Sequence, residues 1–571
     1  MSKRMVPIAI GVLLLLLPSA VSAQWGADSL QNLQICDLTG EQCTPKMAAT
    51  SDGGCFISWF DSRSGSYCLY LQRLDAQGNK MFAVDGLLVS SHPQESWLVD
   101  YDMAVDASDN AVIAFADSRH TAGEFDISAY KIGSDGTFLW GPDGVSLSDT
   151  SEPSLEAAPS VAVTESGNAV IAWGKSGTDY TIVLQKLSPD GDKLWGEDGI
   201  ILDDPVRNLT LPRLAPASGD NAILLWKSST GNFPYPVTHL YTGMLDPSGS
   251  WAWGGSPVLI YDSGHISAWT NPEVLSDGEG GAVCSWYDAV DLSTFEVWVQ
   301  HMDASGDMLF PMNGAQASTN TSNRLHMYPS AAYFPDQDQT VVFWVEENDN
   351  QDQYGVYGQS FSASGARQWT DAGLQLVPLG SQQISFVRAL ADAEGVYVGF
   401  FRGASGTSVR SMRLGSDGVL DWGPVTLSAA SLGGKDDLVL CEGTGQSALY
   451  AWCDYRNDYG IYAQGVSLNG WLGPTTGTGA EGEAACRLSV CPNPSAGSVS
   501  LDFATDSAGR ATLEIYDLSG RLVDIVFSGT LEPGPHSFGW AGDGRGRPAA
   551  GVYLVRLNTA AGMFSARLVV I

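Results

Sequence analysis

The chain has 571 residues and a formal net charge of −35. It is long enough for more than one domain, and acidic enough to exclude phosphate backbones and anionic membrane surfaces as natural partners. Hydrophobic residues make up 44% of it, with 65 glycines and 18 tryptophans, the mixture that many short strands joined by Gly/Asp/Ser turns produce. The acidity is uneven. From Cys486 to Ile571 seven arginines balance seven acids and there is no lysine, so the charge belongs to the region before Cys486.

Lys3-Arg4, the apolar run Val6 to Leu17, Pro18 and the small residues Ala20 to Ala23 follow one another at the start. They are the three regions of a secretory signal peptide over 1–23. The run is too short for a comfortable membrane span, and no later segment is apolar for long enough to provide one. Nine cysteines in an exported chain permit disulfides and leave at least one thiol over. Cys36 and Cys43 read as a local pair. No C-x-x-C spacing points to zinc.

A repeat organises residues 24–473. Aromatic residues that end short apolar strands recur at Trp59, Phe115, Trp173, Trp226, Trp286, Trp344, Phe400 and Trp452. A turn glycine keeps the same phase at Gly78, Gly136, Gly191, Gly249, Gly306, Gly365, Gly418 and Gly470. Four residues after the first seven glycines stands a further aromatic: Phe82, Trp140, Trp195, Trp253, Phe310, Trp369 and Trp422. A period of 52 to 60 residues with four short strands per unit predicts an all-β propeller of eight blades. Seven is the alternative if unit 7 is not a full blade. Pro474 replaces the aromatic of unit 8, while Trp25-Gly26 at the mature start repeats the Trp-Gly step of units 2, 3, 4 and 7. The N-terminal segment is therefore expected to complete the last repeat and protect its edge.

Three groups in this body are candidates for ligand contact. Trp59/Asp61/Arg63, Phe115/Asp117/Arg119 and Trp452/Asp454/Arg456 share an aromatic-x-Asp-x-Arg spacing, in units that become neighbours if the ring closes. An Asp and an Arg two apart at a strand end can lock a turn together, or form a charged sector for an anionic or sugar ligand. Phe233, Tyr235, Tyr241, Trp251 and Trp269 cluster in and after unit 4, and aromatic rings on loops can stack on sugars. Glu346-Glu347-Asn348-Asp349-Asn350 with Asp352 offers oxygen ligands that suit calcium. Its spacing matches no known loop, so no cofactor and no metal site is assigned.

A Gly/Thr-rich stretch over 474–485 reads as a linker. Residues 486–571 alternate short strands with turns, as a small β-sandwich does. They carry Pro492-Asn493-Pro494, Tyr516 with Gly520-Arg521, Trp540 before a Gly/Asp turn, Gly551-Val552-Tyr553, and a last strand with Arg567. In order and position these resemble the type A C-terminal sorting domain of type IX secretion cargo, an Ig-like relative of the flagellar hook-capping family. The resemblance implies export through that machinery and a place outside the cell or on its outer surface.

The sequence holds no G-x-S-x-G, H-E-x-x-H, Walker or EF-hand spacing. A non-enzymatic module that binds or adheres to a glycan or protein is the first expectation. A secreted hydrolase or lyase acting on polysaccharide comes second, and a structural surface scaffold third. Carboxylates converging in the centre of the ring would favour the enzyme.

Overall fold

A computed structural model of the chain describes residues 25–26, 28–473 and 488–570, apart from 95–99, 120–124, 149–154, 178–179, 232–235, 268, 292, 323–324, 405, 429–432, 492–494, 496, 498, 506–507, 518–520, 532–533, 543–548 and 560–561. The expected signal peptide (1–23) and linker (474–485) lie outside the described residues. So do Phe233, Tyr235, Pro492, Asn493, Pro494, Gly520 and Cys486. The chain divides into two compact units, the first ending at Gly477 and the second starting at Thr478.

The first unit is all-β and propeller-like. The second strand of each repeat is an almost unbroken apolar run, buried from end to end in Cys55–Asp61, Ala111–Asp117 and Ala448–Asp454. Such runs belong to strands covered on both faces. In every repeat this strand pairs with the strand before it and the strand after it, and a fourth strand completes an antiparallel set. The seventh repeat is complete, with Ile384–Ala391, Gly395–Arg402, Ser408–Gly415 and Leu420–Ser428 in order. The fifth and sixth sets are joined through one parallel pairing, Phe295 with Leu325. The first strands run Gln42–Ala49, Asp102–Val105, Leu155–Val163, Asn208–Ala217, Glu273–Ser276, Leu325–Phe334, Ile384–Ala391 and Lys435–Glu442. Each touches the first strand of the next repeat, and Lys435–Glu442 touches Gln42–Ala49, so the series returns to its start.

The fourth strand of the last set comes from the N-terminus. Leu33–Cys36 pairs antiparallel with Gly460–Val466, Leu33 opposite Ala463 and Cys36 opposite Ile461. The expected completion of the last repeat by the N-terminal segment is therefore present.

The repeat anchors interlock from one sheet to the next. The aromatic that follows each turn lies against the turn glycine of the following repeat: Phe82 on Gly136, Trp140 on Gly191, Trp195 on Gly249, Trp253 on Gly306, Phe310 on Gly365, Trp369 on Gly418 and Trp422 on Gly470. Trp25 takes the eighth place, on Gly78. At Gly306 φ is +85°, and a Cβ would stand 2.5 Å from the Trp253 side chain, so any other residue would be both strained and blocked. The indoles of Trp25, Trp140, Trp195, Trp253 and Trp422 then donate to the carbonyl two residues before that glycine. Trp25 reaches Ala76 at 3.1 Å, Trp140 reaches Pro189 at 3.0 Å and Trp253 reaches Ala304 at 3.1 Å.

The seven cysteines with described side chains are free and buried. Cys36 and Cys43 do not pair, which corrects the expectation from their spacing. Cys36 sits on the closing strand of the last sheet with its sulfur 3.0 Å from Arg63 Nη2, whereas Cys43 lies on the first strand of the first sheet.

The second unit has two antiparallel sheets. One orders Ser489–Cys491, Val499–Thr505 and Gly534–Trp540; the other orders Leu522–Leu531, Gly509–Asp517, Gly551–Thr559 and Gly562–Val570. One core of Leu501, Phe503, Leu513, Ile515, Val555, Leu557 and Leu568 lies between them. Trp540 packs edge-on to Tyr553 at 5.7 Å and donates to Asp524 at 2.9 Å. Tyr553 Oη donates to the Ala549 carbonyl at 2.8 Å, and Tyr516 lies 5.0 Å from the Arg556 guanidinium. Arg521 pairs with Asp517 at 3.1 Å, Gly551 opens the strand that holds Tyr553, and Arg567 is exposed on the last strand.

Candidate functional site

The first strands of the repeats lie at one side of their sheets, the sixth also paired to the fifth set through Leu325, and several carry charged side chains. In six of the eight the register slips by a bulge at a non-glycine residue with positive φ: Thr44, Ala158, Leu211, Tyr328, Phe386 and Asp437, all between +52° and +54°. A bulge bends its strand and re-aims the next side chains, and such backbone is retained where the surroundings hold it in place. Opposite the residue that precedes each strand aromatic stand, in order, Lys46, Asp102, Ser160, Arg213, Glu273, Ser330, Arg388 and Val439. One residue per sheet at one level makes a collar.

Contacts in the collar run from sheet to sheet. The Asp102 carboxylate accepts from Ser160 Oγ at 3.1 Å and the Val161 amide at 2.8 Å. Ser160 Oγ accepts in turn from the Leu214 amide at 3.0 Å, and Ser330 Oγ accepts from the Ala389 amide at 3.1 Å. Where serine leaves room, longer side chains bridge across. Arg213 approaches Asp100 at 3.8 Å past the sheet of Ser160, and Arg388 approaches Glu273 at 3.7 Å past the sheet of Ser330. Lys46 closes on Asp100 at 2.7 Å.

Three carboxyls in and beside this network are raised and one is lowered. Burial, reinforced by the neighbouring Asp436 charge, pushes Asp437 up to about 6, and burial also raises Asp436. Asp102 is raised by burial as well, whereas Asp100 is held below the ordinary carboxylate range against its own burial by Lys46 and Arg213. The collar thus holds cations and carboxylates side by side. Around Asp437 it has a carboxyl able to carry or release a proton near neutral pH.

The aromatic-x-Asp-x-Arg groups take up positions at the ends of the second strands. Asp61, Asp117 and Asp454 are fully buried. Trp59 donates to Asp61 at 3.0 Å and Trp452 to Asp454 at 2.9 Å. Arg119 binds Asp117 in two-pronged fashion, at 2.9 and 2.7 Å. The guanidinium groups of Arg63, Arg119 and Arg456 lie 4.1, 5.8 and 3.9 Å from the rings of Tyr70, Tyr130 and Tyr462 on the adjacent strand. Arg63 also donates to the Asp85 carbonyl and Arg119 to that of Asp143, so each ties the second strand to the end of the turn region. The three sheets concerned are consecutive in the closed series.

Tyr241 and Trp251 stack on the strand aromatic Trp226, at 5.7 and 5.8 Å. Trp269 is 73% exposed. In the acidic loop Asn348 bonds Asp352 at 2.7 Å and accepts from the Asp352 and Gln353 amides. Glu346 turns inward, where His326 stands between it and Glu296, at 3.5 and 3.1 Å. No cluster of three or more His, Cys, Asp or Glu side chains fit to hold a metal occurs among the described residues.

The sequence reading passed over the collar. Its signal was a proline: Lys46, Ser160, Arg213, Glu273 and Ser330 each directly follow one, at Pro45, Pro159, Pro212, Pro272 and Pro329.

No protein-family model matches the chain, and no curated protein matches it. Among solved structures it is similar to PorZ, a bacterial surface component of the type IX secretion system of Porphyromonas gingivalis. That likeness has 14% identity, 92% of this chain and 70% of the other, and a TM-score of 0.32. It is similar to the polysaccharide lyase Uly1, with 10% identity, 76% and 91% coverage and a TM-score of 0.42. It is also similar to an α-L-arabinofuranosidase of Fusarium graminearum, with 12% identity, 58% and 97% coverage and a TM-score of 0.35. No helix among the described residues is long and apolar enough to cross a membrane.

Proposed function

We propose that this chain is an exported bacterial protein whose body, an eight-bladed propeller, binds a glycan or protein outside the cell. The tail, an Ig-like sandwich, is its type IX sorting domain. The binding reading is carried by the collar. Its carboxylates Asp100, Asp102 and Glu273 hold cations or backbone amides of other sheets, so they fix a polar surface of both charges instead of standing free to turn a substrate over. Fixed charges of both signs suit hydroxyl-rich or zwitterionic ligands. The eight-bladed reading is supported by eight aromatic-on-glycine contacts, with Trp25 on Gly78 as the eighth. The sandwich reading is supported by the three-on-four strand order around one core.

Retention of the purified body on a panel of immobilised polysaccharides and cell-envelope proteins tests the first claim. Asp100→Asn with Arg213→Ala should lose the retention that the parent chain shows. If the parent is held by no member of the panel, the binding reading fails. Fractionating cells that express the full chain, or one truncated after Gly473, tests the second. The truncated body should accumulate in the periplasm, and equal amounts outside the cell would reduce the tail to an accessory domain.

A second reading, hydrolysis of a polysaccharide, is favoured by one observation. Asp437, raised to about 6, stands beside Asp436, and a raised carboxyl paired with another is the arrangement that glycoside hydrolysis uses. Release of reducing ends that disappears in Asp437→Asn would bring this reading to the front.

A further inference from the structure

Six of the seven cysteines with described side chains lie in the first and last sheets: Cys36, Cys43, Cys55, Cys68, Cys441 and Cys453. These are the two sheets that meet only when the series closes on itself. Cys55 opens the second strand of the first sheet, opposite Ala49, and Cys441 stands near the end of the first strand of the last sheet, opposite Leu449. The loops beside them touch, since the Thr444 side chain occupies the space next to Gly53. The two thiols belong to one core cluster, 0% and 7% exposed, on strands of the two sheets whose first strands touch. They are 386 positions apart in the chain.

We propose that Cys55 and Cys441 form a disulfide that latches the closed ring. Thiols that share one core across a seam, beside loops that touch, need little backbone movement to bond. A cross-link that encloses so long a loop removes much of the freedom of the open chain. The bond forms by exchange. One thiolate, having lost its proton, attacks an oxidised thiol–disulfide oxidoreductase, or oxidised glutathione in the tube, and releases one thiol of that oxidant. The second thiolate then displaces the other. Two protein thiols and one external disulfide become one protein disulfide and two external thiols. Burial holds the Cys55 thiol well above its ordinary range once the seam is shut, so exchange must occur while the last sheet is still open.

An oxidising compartment is supplied by the export reading given above; the pairing itself does not depend on it. The full chain is unfolded in dithiothreitol, refolded with reduced and oxidised glutathione, alkylated and mapped by mass spectrometry without reduction. The Cys55 peptide should appear joined to the Cys441 peptide, two hydrogens lighter than the separate peptides. The oxidised chain should melt several degrees above one refolded in dithiothreitol, a difference that Cys55→Ala with Cys441→Ala abolishes and Cys284→Ala keeps. Chain secreted into the periplasm of an expression host and mapped in the same way serves where refolding gives no yield. Both thiols alkylated as free in folded, oxidant-treated protein would overturn the proposal, as would Cys55 joined to Cys43 or Cys453. If the bond forms in the tube but Cys55 and Cys441 are free in protein from its natural host, the export reading fails and the pairing stands.

Discussion

The joint between the third and fourth sheets and the joint that closes the series are built from the same parts. At the first, Trp195 leaves its turn, lies on Gly249 and donates to the Pro247 carbonyl, while the buried Gln185 reaches the Gly196 carbonyl at 2.7 Å. At the second, Trp25 lies on Gly78 and donates to the Ala76 carbonyl, while the buried Gln464 reaches the Gly26 carbonyl, also at 2.7 Å. The difference is sequence distance. Gln185 and Trp195 are ten residues apart, whereas Gln464 and Trp25 come from opposite ends of the body. An ordinary joint is made by neighbours in sequence, but the closing joint must bring together two chain ends that are otherwise free. Loop entropy is charged to that one joint, and the contacts themselves are no stronger there.

The sharpest way to break this comparison is to remove the closing strand. Deleting 24–36 takes away Trp25, Ile35 and Cys36, all buried, and leaves Gly460–Val466 as a bare edge. The melting temperature should fall by several degrees, and limited proteolysis should enter the last sheet first. An unchanged melting curve would count against the closing role of the segment. Next come Trp25→Ala and Trp253→Ala. Each empties a filled slot at a cost of about 3–5 kcal/mol. Trp25→Ala should also make the N-terminal strand sensitive to protease, whereas Trp253→Ala should leave every terminus protected. Equal protease patterns would mean that the closing joint is no different from the others.

Smaller again is the glutamine. Gln72, Gln185, Gln300, Gln359 and Gln464 are buried, and each donates to the carbonyl that follows the turn aromatic. Gln185→Ala and Gln464→Ala should each cost about 1–3 kcal/mol by leaving that carbonyl unsatisfied. Chemical denaturation of both variants, beside the parent, measures whether closure adds anything to the local bond.

The repeat was legible because its two strongest anchors answer to each other across sheets: a glycine position that admits no side chain and a ring that fills the space. Each constraint marks the sequence in every unit. The glutamine was not legible, since only five of the eight joints use it. The collar was hidden for another reason. Lys46, Asp100, Arg213, Glu273 and Arg388 come from five separate repeats, and bulges at residues such as Thr44 and Tyr328 shift the register that a period-two reading relies on. The aromatic-x-Asp-x-Arg spacing was visible, and its geometry is that of a strand-end lock, with the Asp buried and the Arg laid on a tyrosine of the adjacent strand.

The smallest expected effect concerns the collar beside the closing joint, where Asp437 of the last sheet lies near Lys46 of the first. Its carboxyl is raised from about 3.8 to about 6 by burial and by Asp436. A group raised in the folded state binds its proton more tightly there than in the unfolded chain. Its contribution to stability is therefore fully present below about pH 4 and is lost as the pH rises through about 6. Asp437→Asn removes the charge but keeps the shape. It should leave the melting temperature unchanged at pH 4 and raise it at pH 7.5 by on the order of one degree, the scale of a small stability change in a body of this size. No comparable gain is expected from Asp100→Asn, because Asp100 is held low by Lys46 and Arg213, and losing that charge sets two cations loose. If Asp437→Asn lowers the melting temperature at pH 7.5, its carboxylate must be paired with a cation at the seam. The closing joint would then carry an ionic contact of its own, as the joint between the third and fourth sheets does through Lys186 and Asp220 at 2.7 Å.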